Sequence, residues 1–240
     1  MIMENKFKGI LLYRKISKEN NLFIKFLSEN DEIITGIVFG GLSSKNKNLY
    51  QLGNFFQFNL SSKKLNFPYS IKGELDQPYL SSVINDKYKL NCIMAIVAVL
   101  NLSIIEGQKI KGIFSTTEKM ISLLILKKNW LIDFIKYLYN LLKIIGYDTD
   151  YENNSKNPFF DIVSLKFSSL KDNKSLLFPH KLFNDKISVN YESVKLAFII
   201  FEEIFQNNHL INMNLKLPIS FIKFRDLILT FLKNKNDKTN

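Results

Sequence analysis

The stretch that decides the fold is Leu22-Phe23-Ile24-Lys25-Phe26-Leu27-Ser28, then Glu29-Asn30-Asp31, then Glu32 through Phe39. Leu22, Ile24 and Phe26 alternate with Phe23, Lys25 and Leu27, the two-residue period of a strand whose faces meet different surroundings. Glu29-Asn30-Asp31 is short and polar, as a hairpin turn requires, and Glu32 to Phe39 is again rich in β-branched residues. Upstream, Phe7 to Ile16 is a further β-prone run. Downstream, Gly40-Gly41 breaks the third strand, and Ser43-Ser44-Lys45-Asn46-Lys47-Asn48 is a polar, basic loop. Alternation resumes from Asn54 to Leu60, with Phe56, Phe58 and Leu60 on one face. Ser62-Lys63-Lys64 makes a second basic turn, and Ser70 to Leu75 a last short strand.

Short strands in this number, closing on themselves, predict a small barrel, and the five-stranded barrel that commonly binds nucleic acid is the OB-fold. The period changes near Pro78. Leu90 to Leu102 is apolar on nearly all sides, which predicts a helix at the centre of a bundle. Met120 to Leu126 starts another helical segment. Trp130 to Ile145 is amphipathic through Trp130, Phe134, Leu138, Leu141, Leu142 and Ile145, and Gly146 supplies a left-handed stop. Residues 147–187 show no period. Glu192 to Asn207 is helical through Val194, Phe198, Phe201 and Phe205; Pro218 opens a last helix carrying Phe221, Phe224, Ile228 and Phe231. The expected organisation is therefore α+β and multidomain. An OB barrel spans 1–78 and a helical domain 79–240, with an irregular insertion at 148–187 and a disordered tail at 234–240.

Composition bounds the function. The 240 residues are 46% hydrophobic and 23% charged, enough to bury a core without disulfides. Cys92 is the single cysteine, so no internal disulfide and no cysteine zinc site is available. Met1 to Lys15 contains no signal-peptide core, and the longest apolar run, Cys92 to Ile105, is too short to span a bilayer. These features predict a soluble cytoplasmic protein. Net charge is +11, spread as +4 over residues 1–78 and +7 over residues 79–240. That excess suits a polyanion: nucleic acid, an acidic membrane surface or an acidic protein tail. Only Arg14 and Arg225 are arginines. Lysine meets phosphate as a flexible point charge and lacks the planar fork that reads guanine edges, so any nucleic-acid binding is to the backbone rather than to sequence.

Little else carries chemistry. Gly40-Gly41 is not followed by a nucleotide-binding pattern. Asp148, Asp150 and Glu152 would share one face of a strand, as ligands of a hard cation do, although acidic residues just after a helix stop ordinarily form a solvated turn. Cys92 lies in the most apolar helix and reads as an inert thiol. His180 and His209 read as surface or capping residues. The sequence thus predicts a non-enzyme without metal or cofactor. What remains is Lys8, Arg14, Lys15, Lys25, Lys45, Lys47, Lys63 and Lys64, with Phe23, Phe39, Tyr50 and Phe55 among them. Basic grooves with aromatic platforms bind single strands without sequence preference. Phe56 and Phe58 are assigned to the barrel interior; Phe39 and Tyr50, beside the polar loop, are open to either role.

Val38-Phe39-Gly40-Gly41-Leu42-Ser43-Ser44-Lys45-Asn46-Lys47, followed by Gln51 and Gly53-Asn54, resembles the strand-and-loop signature of the RecO family of bacterial recombination mediators. Gly9-Ile10-Leu11-Leu12 and Glu19 are similar to that family's first strand and hairpin. Leu141 to Asp148 is similar to its helix with a terminal glycine-aromatic step. Phe198 to Phe205, then Pro218 and Arg225 through Leu232, match its C-terminal helix pair. The resemblance implies an OB barrel followed by helices. It also implies binding of single- and double-stranded DNA, strand annealing, engagement of the acidic tail of the single-stranded-DNA-binding protein, and RecA loading together with RecR. On this basis Lys45 and Lys47, then Arg14, Lys15, Lys25, Lys63 and Lys64, contact phosphates, and Phe39 stacks. Lys127, Lys128, Lys136 and Lys143 would ring the pocket for the partner tail.

The departures count too. Relatives usually carry arginine where this chain has Phe39, Leu42 and Ser44. Many have a four-cysteine zinc module at residues 148–187, where here Phe159 to Phe167 and Leu176 to Phe183 must hold the insertion by packing. Two rival readings follow: a protein-interaction adaptor with little DNA affinity, motivated by the missing arginines, and a metal-dependent nuclease using Asp148, Asp150 and Glu152.

Overall fold

The computed structural model describes residues 5–61, 68–183 and 189–237, so Lys63 and Lys64 lie outside the described residues. The chain divides into two compact units, Met1–Ile121 and Ser122–Asn240. The first contains five strands where the alternation predicts them: β1 (Asn5–Ile16), β2 (Leu22–Ser28), β3 (Ile33–Val38), β4 (Phe55–Ser61) and β5 (Tyr69–Gln77). They form a closed barrel in the order β1-β2-β3-β5-β4. β1 pairs antiparallel with both β2 and β4, and β3 runs parallel to β5, which is the OB connectivity.

The barrel interior holds Leu11, Leu22, Ile24, Phe26, Ile34, Val38, Tyr50, Phe56, Phe58, Leu60 and Ile71. Phe26 stacks on Phe58 at 3.9 Å between ring centroids, Phe58 on Phe56 at 5.2 Å, and Phe56 on Tyr50 at 5.4 Å. Tyr50, left open between two roles by the sequence, is therefore core. Its hydroxyl accepts from the Gly73 amide at 3.0 Å, and burial raises the phenol's pKa. Phe39 takes the other course and is 64% exposed.

Closure depends on the short parallel pairing Gly36↔Tyr69 and Ile37↔Ser70. A Cβ at Gly36 would press on the Tyr69 carbonyl oxygen and lie 2.6 Å from Ile71 Cδ1. A second irregularity lies in β1. Leu11 pairs with Phe26 but Tyr13 pairs with Lys25, so Leu12 is an extra residue and the strand bulges. Side-chain parity flips there: Leu11 faces the core, and Tyr13 and Lys15 lie on the outer face.

The change from strand to helix falls at Pro78. α1 (Tyr79–Val83), α2 (Lys87–Ser103) and the start of α3 (Ile113–Leu126) belong with the barrel in the first unit. Asp86 caps α2 by accepting from the Tyr88 and Lys89 amides. Cys92 is fully buried in α2, and burial raises its thiol pKa far above the usual range. α3 begins well before Met120. The polar run Ser115-Thr116-Thr117-Glu118 hides the apolar spacing, and the first turn is supported from far along the chain. Asp31, left-handed at the tip of the β2–β3 hairpin, accepts from the Gly112 amide at 2.8 Å and the Phe114 amide at 3.0 Å.

In the second unit α4 (Leu131–Ile144) ends as the sequence predicts. The Tyr147 amide donates to Leu142 and the Gly146 amide to Lys143, the paired bonds of a Schellman stop. The insertion is more regular than expected. β6 (Phe159–Asp161), β7 (Lys166–Ser168) and β8 (Ser175–Leu177) form a sheet in the order β7-β6-β8, followed by the short α5 (His180–Phe183). Three-residue strands are too short to show a period. Phe178 and Phe183 pack around Tyr139 and Tyr151, while Phe160 and Phe167 close on Phe178. Tyr139 donates to the Ala197 carbonyl of α6 (Tyr191–Ile204) at 3.0 Å. His180, expected at the surface or as a cap, instead packs against Phe167 and Phe178, with Nε2 2.8 Å from the Asn157 carbonyl. His209 lies in a π-helical turn, Phe205–Leu210, stacked on Phe205 and edge-on to Tyr147. α7 (Ile219–Asp237) continues past Asn234, where a disordered tail was expected.

Two outcomes follow from this packing. Gly36→Val should cost about 3 kcal/mol or more through overpacking against backbone, read as a lowered denaturation midpoint or loss of soluble protein. Tyr151 has its phenol pKa pushed up to about 12, by burial first and then by the charges of Glu152 and Asp148. The folded state thus holds that proton more tightly than the unfolded chain, and its contribution, complete below pH 10, is lost between pH 10 and about 12. In urea titrations across that window, Tyr151→Phe should lose stability less steeply than the unsubstituted protein.

Candidate nucleic-acid interface

One end of the barrel is built by the β1–β2 turn and the long connection from Phe39 to Asn54. Backbone and side-chain bonds join the two. The Gly40 amide donates to Asn21 Oδ1 at 3.0 Å, and the Leu42 amide to the Asn20 carbonyl at 2.9 Å. Within the loop, the Ser43 carbonyl accepts from the Asn46 and Lys47 amides, and Asn46 Nδ2 donates to Gly40. Leu42 and Leu49 pack against the barrel core. Arg14 Nη1 donates to the Tyr50 carbonyl at 2.6 Å, pinning the loop's far side to β1. The loop is therefore a folded platform.

This arrangement brings Arg14, Lys15, Phe39, Lys45 and Lys47 to one end of the barrel, all exposed, together with Lys18 of the β1–β2 turn. No carboxylate among the described residues pairs with Lys15, Lys18, Lys45 or Lys47. The opposite end mixes both signs, with Lys109 and Lys111 exposed where their segment meets the β2–β3 turn. Glu29, Asp31 and Glu32 occupy the β2–β3 turn, and Lys8 Nζ sits 3.1 Å from Asp76 and 2.8 Å from Glu118. Burial works to lower the Lys8 pKa, but those two carboxylates outweigh it and raise it. Lys8 is thus held in a local triad.

Lys25 stands apart from the loop group. Its ammonium donates to the Asn101 carbonyl in the last turn of α2 at 2.9 Å, and burial, opposed by the charge of Glu106, lowers its pKa. A favourable contact with a helix C-terminus explains why a half-buried lysine is tolerated there. Of the other aromatics named from sequence, Phe55 is fully buried, whereas Phe23 lies partly exposed on the outer face. Sequence reasoning missed Tyr13 and Lys18. Strand parity counted from Leu11 would send Tyr13 inward, and only the bulge turns it out.

In the second unit the four lysines assigned to a partner tail are strung along α4. Lys127 and Lys128 precede it, Lys136 lies midway and Lys143 in the last turn, and a helix of 14 residues spans about 20 Å. Lys127 pairs with Asp133 at 3.0 Å, and Lys143 with Asp148 at 2.9 Å. The acidic triplet is not on a strand. Asp148 also accepts the Asp150 amide, and Asp150, left-handed, directs its carboxylate to Asn153 and Asn154. Burial raises the Asp148 pKa, but Lys143 and the Asp150 amide bring it below the usual range. No three metal-ligating side chains converge among the described residues. Nor is any described helix long and apolar enough to cross a membrane.

No family model matches the chain. Among curated proteins it is similar to DNA repair protein RecO of Rickettsia canadensis (strain McKiel), 25% identical over 217 residues that cover 86% of this chain and 89% of that protein. DNA repair protein RecO of Rickettsia africae (strain ESF-5) is 24% identical over 218 residues, 86% of this chain and 90% of that protein. DNA repair protein RecO of Rickettsia akari (strain Hartford) is 28% identical over 149 residues, 62% of each. Nearly full-length similarity to several such proteins, together with the OB barrel followed by helices, makes this chain similar to RecO proteins in both sequence and architecture.

Proposed function

We propose that this protein is a DNA repair and recombination mediator that binds single- and double-stranded DNA without sequence preference and performs no bond chemistry. The observation that carries the reading is the group Arg14, Lys15, Lys45 and Lys47, exposed at one end of the barrel where the described carboxylates leave the lysines unpaired. Three unpaired lysines and the anchored Arg14, on a folded platform, neutralise phosphates along a backbone and release condensed counterions. By screening repulsion between two strands, the same charges let complementary strands approach and anneal. The family's names for its relatives, all DNA repair proteins, agree with this assignment. In that role the protein works in the cytoplasm at the nucleoid, helping RecA load with RecR and the single-stranded-DNA-binding protein. Lys127 and Lys128 ahead of α4, and Lys136 and Lys143 within it, meet the acidic tail of the latter, Lys127 and Lys143 by exchanging Asp133 and Asp148 for its carboxylates.

Lysine-based recognition makes the affinity strongly dependent on salt. In anisotropy titrations with labelled single-stranded DNA, log K should fall linearly with log salt, with a slope of roughly −0.7 for each phosphate neutralised. No binding at low salt, or a slope near zero, overturns the proposal. Lys45→Glu combined with Lys47→Glu should weaken binding about tenfold or more near 0.1 M salt while leaving the melting temperature unchanged. Undiminished DNA binding by that variant, with binding of the partner tail intact, would instead favour the adaptor reading.

A further inference from the structure

The outer face of β1, β2 and β3 carries aromatic side chains that the charge argument does not use. Register sets Lys15 opposite Phe23 and Phe23 opposite Ile37; one step along, Tyr13 lies opposite Lys25 and Lys25 opposite Thr35. Residues directly opposed in an antiparallel pair share a face. Because Leu22, Ile24 and Phe26 fill the core, all of these lie outside. Tyr13 and Phe23 meet edge to face with centroids 6.4 Å apart, and Tyr13 is 38% exposed. Phe39 lies two residues past Ile37, at the start of the connection that leaves β3, and is 64% exposed. Two aromatic rings on neighbouring strands, Tyr13 and Phe23, thus stand beside Lys15.

We infer that Tyr13 and Phe23 form a stacking platform for the unpaired bases of a single strand whose phosphates the adjacent lysines hold. The inference rests on the proposed DNA binding and adds a discrimination that charge alone lacks. A duplex offers the same phosphates, but its bases are already stacked on each other and have no free faces to give. Exposed aromatic rings beside a cation best suit an occupant that is flat, apolar on its faces and attached to negative charge. A nucleobase on its phosphate backbone meets all three conditions. The β1 bulge is what puts Tyr13 here, since without it that ring would enter the core.

The test compares three fluorescent ligands at one moderate salt concentration: a thymidine oligonucleotide, an abasic strand of equal length and charge, and a duplex. The full chain should bind the thymidine strand roughly tenfold or more tighter than the abasic strand. Tyr13→Leu combined with Phe23→Leu should erase that preference while leaving affinity for the abasic strand and the duplex unchanged. Tyr13→Trp should retain the preference, and its added fluorescence should be quenched by the thymidine strand but not by the abasic one, with the unsubstituted protein as control for Trp130. Equal affinity for thymidine and abasic strands, or a preference that survives the double substitution, overturns the inference and leaves charge-based binding standing. Affinity for none of the three overturns both.

Discussion

Barrel closure is the constraint on which the first unit depends. Two residue pairs, Gly36 with Tyr69 and Ile37 with Ser70, join β3 to β5 in parallel and remove the open edges that a five-stranded sheet would otherwise present. The approach is so close that only a residue without a Cβ fits at Gly36. Once closed, the barrel has an interior just wide enough for the stacked rings of Phe26, Phe58, Phe56 and Tyr50. It also fixes where the loops emerge. The β1–β2 turn and the Phe39–Asn54 connection meet at one end because closure leaves them no other course, and Arg14 then pins the second to β1.

Closure also groups the charge. At the end with the β2–β3 turn the signs are mixed, and Lys8 is held between Asp76 and Glu118. At the loop end the described carboxylates leave Lys15, Lys45 and Lys47 without a partner. A net charge of +11 says only that a polyanion is attracted. The folded loop that gathers Lys45 and Lys47 near Lys15 says where cations act together, because exposed charges act over about a Debye length, roughly 8–10 Å at ordinary ionic strength. Lys25 illustrates the difference between having a charge and offering it. It lies on the outer face among candidate contacts, yet its ammonium is bound to the end of α2.

The second unit solves a different problem, holding an insertion whose strands are three residues long. Backbone pairing of that length is marginal by itself. Aromatic packing around Phe178 supplies the rest, and it draws in His180, which a sequence reading leaves at the surface. The tyrosine hydroxyl that reaches Ala197 then ties this cluster to the helices.

The strands of the barrel, the buried α2, the amphipathic α4 with its glycine stop, and the exposed basic loop were all legible in the sequence, because each is a local pattern with its own period or turn chemistry. Lys45 and Lys47 were legible for the same reason: a polar loop has nowhere to go but out. The start of α3 was not, since its cap comes from Asp31, about 80 residues upstream in sequence and brought into contact only by folding. The fates of Tyr50 and Tyr13 were not either. Tyr50 enters the core because Gly73, on another strand, leaves room and an amide for it, and Tyr13 leaves the core because one extra residue in β1 reverses parity. Period and composition are properties of neighbours along the chain, whereas registers, bulges and ion pairs are set only when distant strands meet.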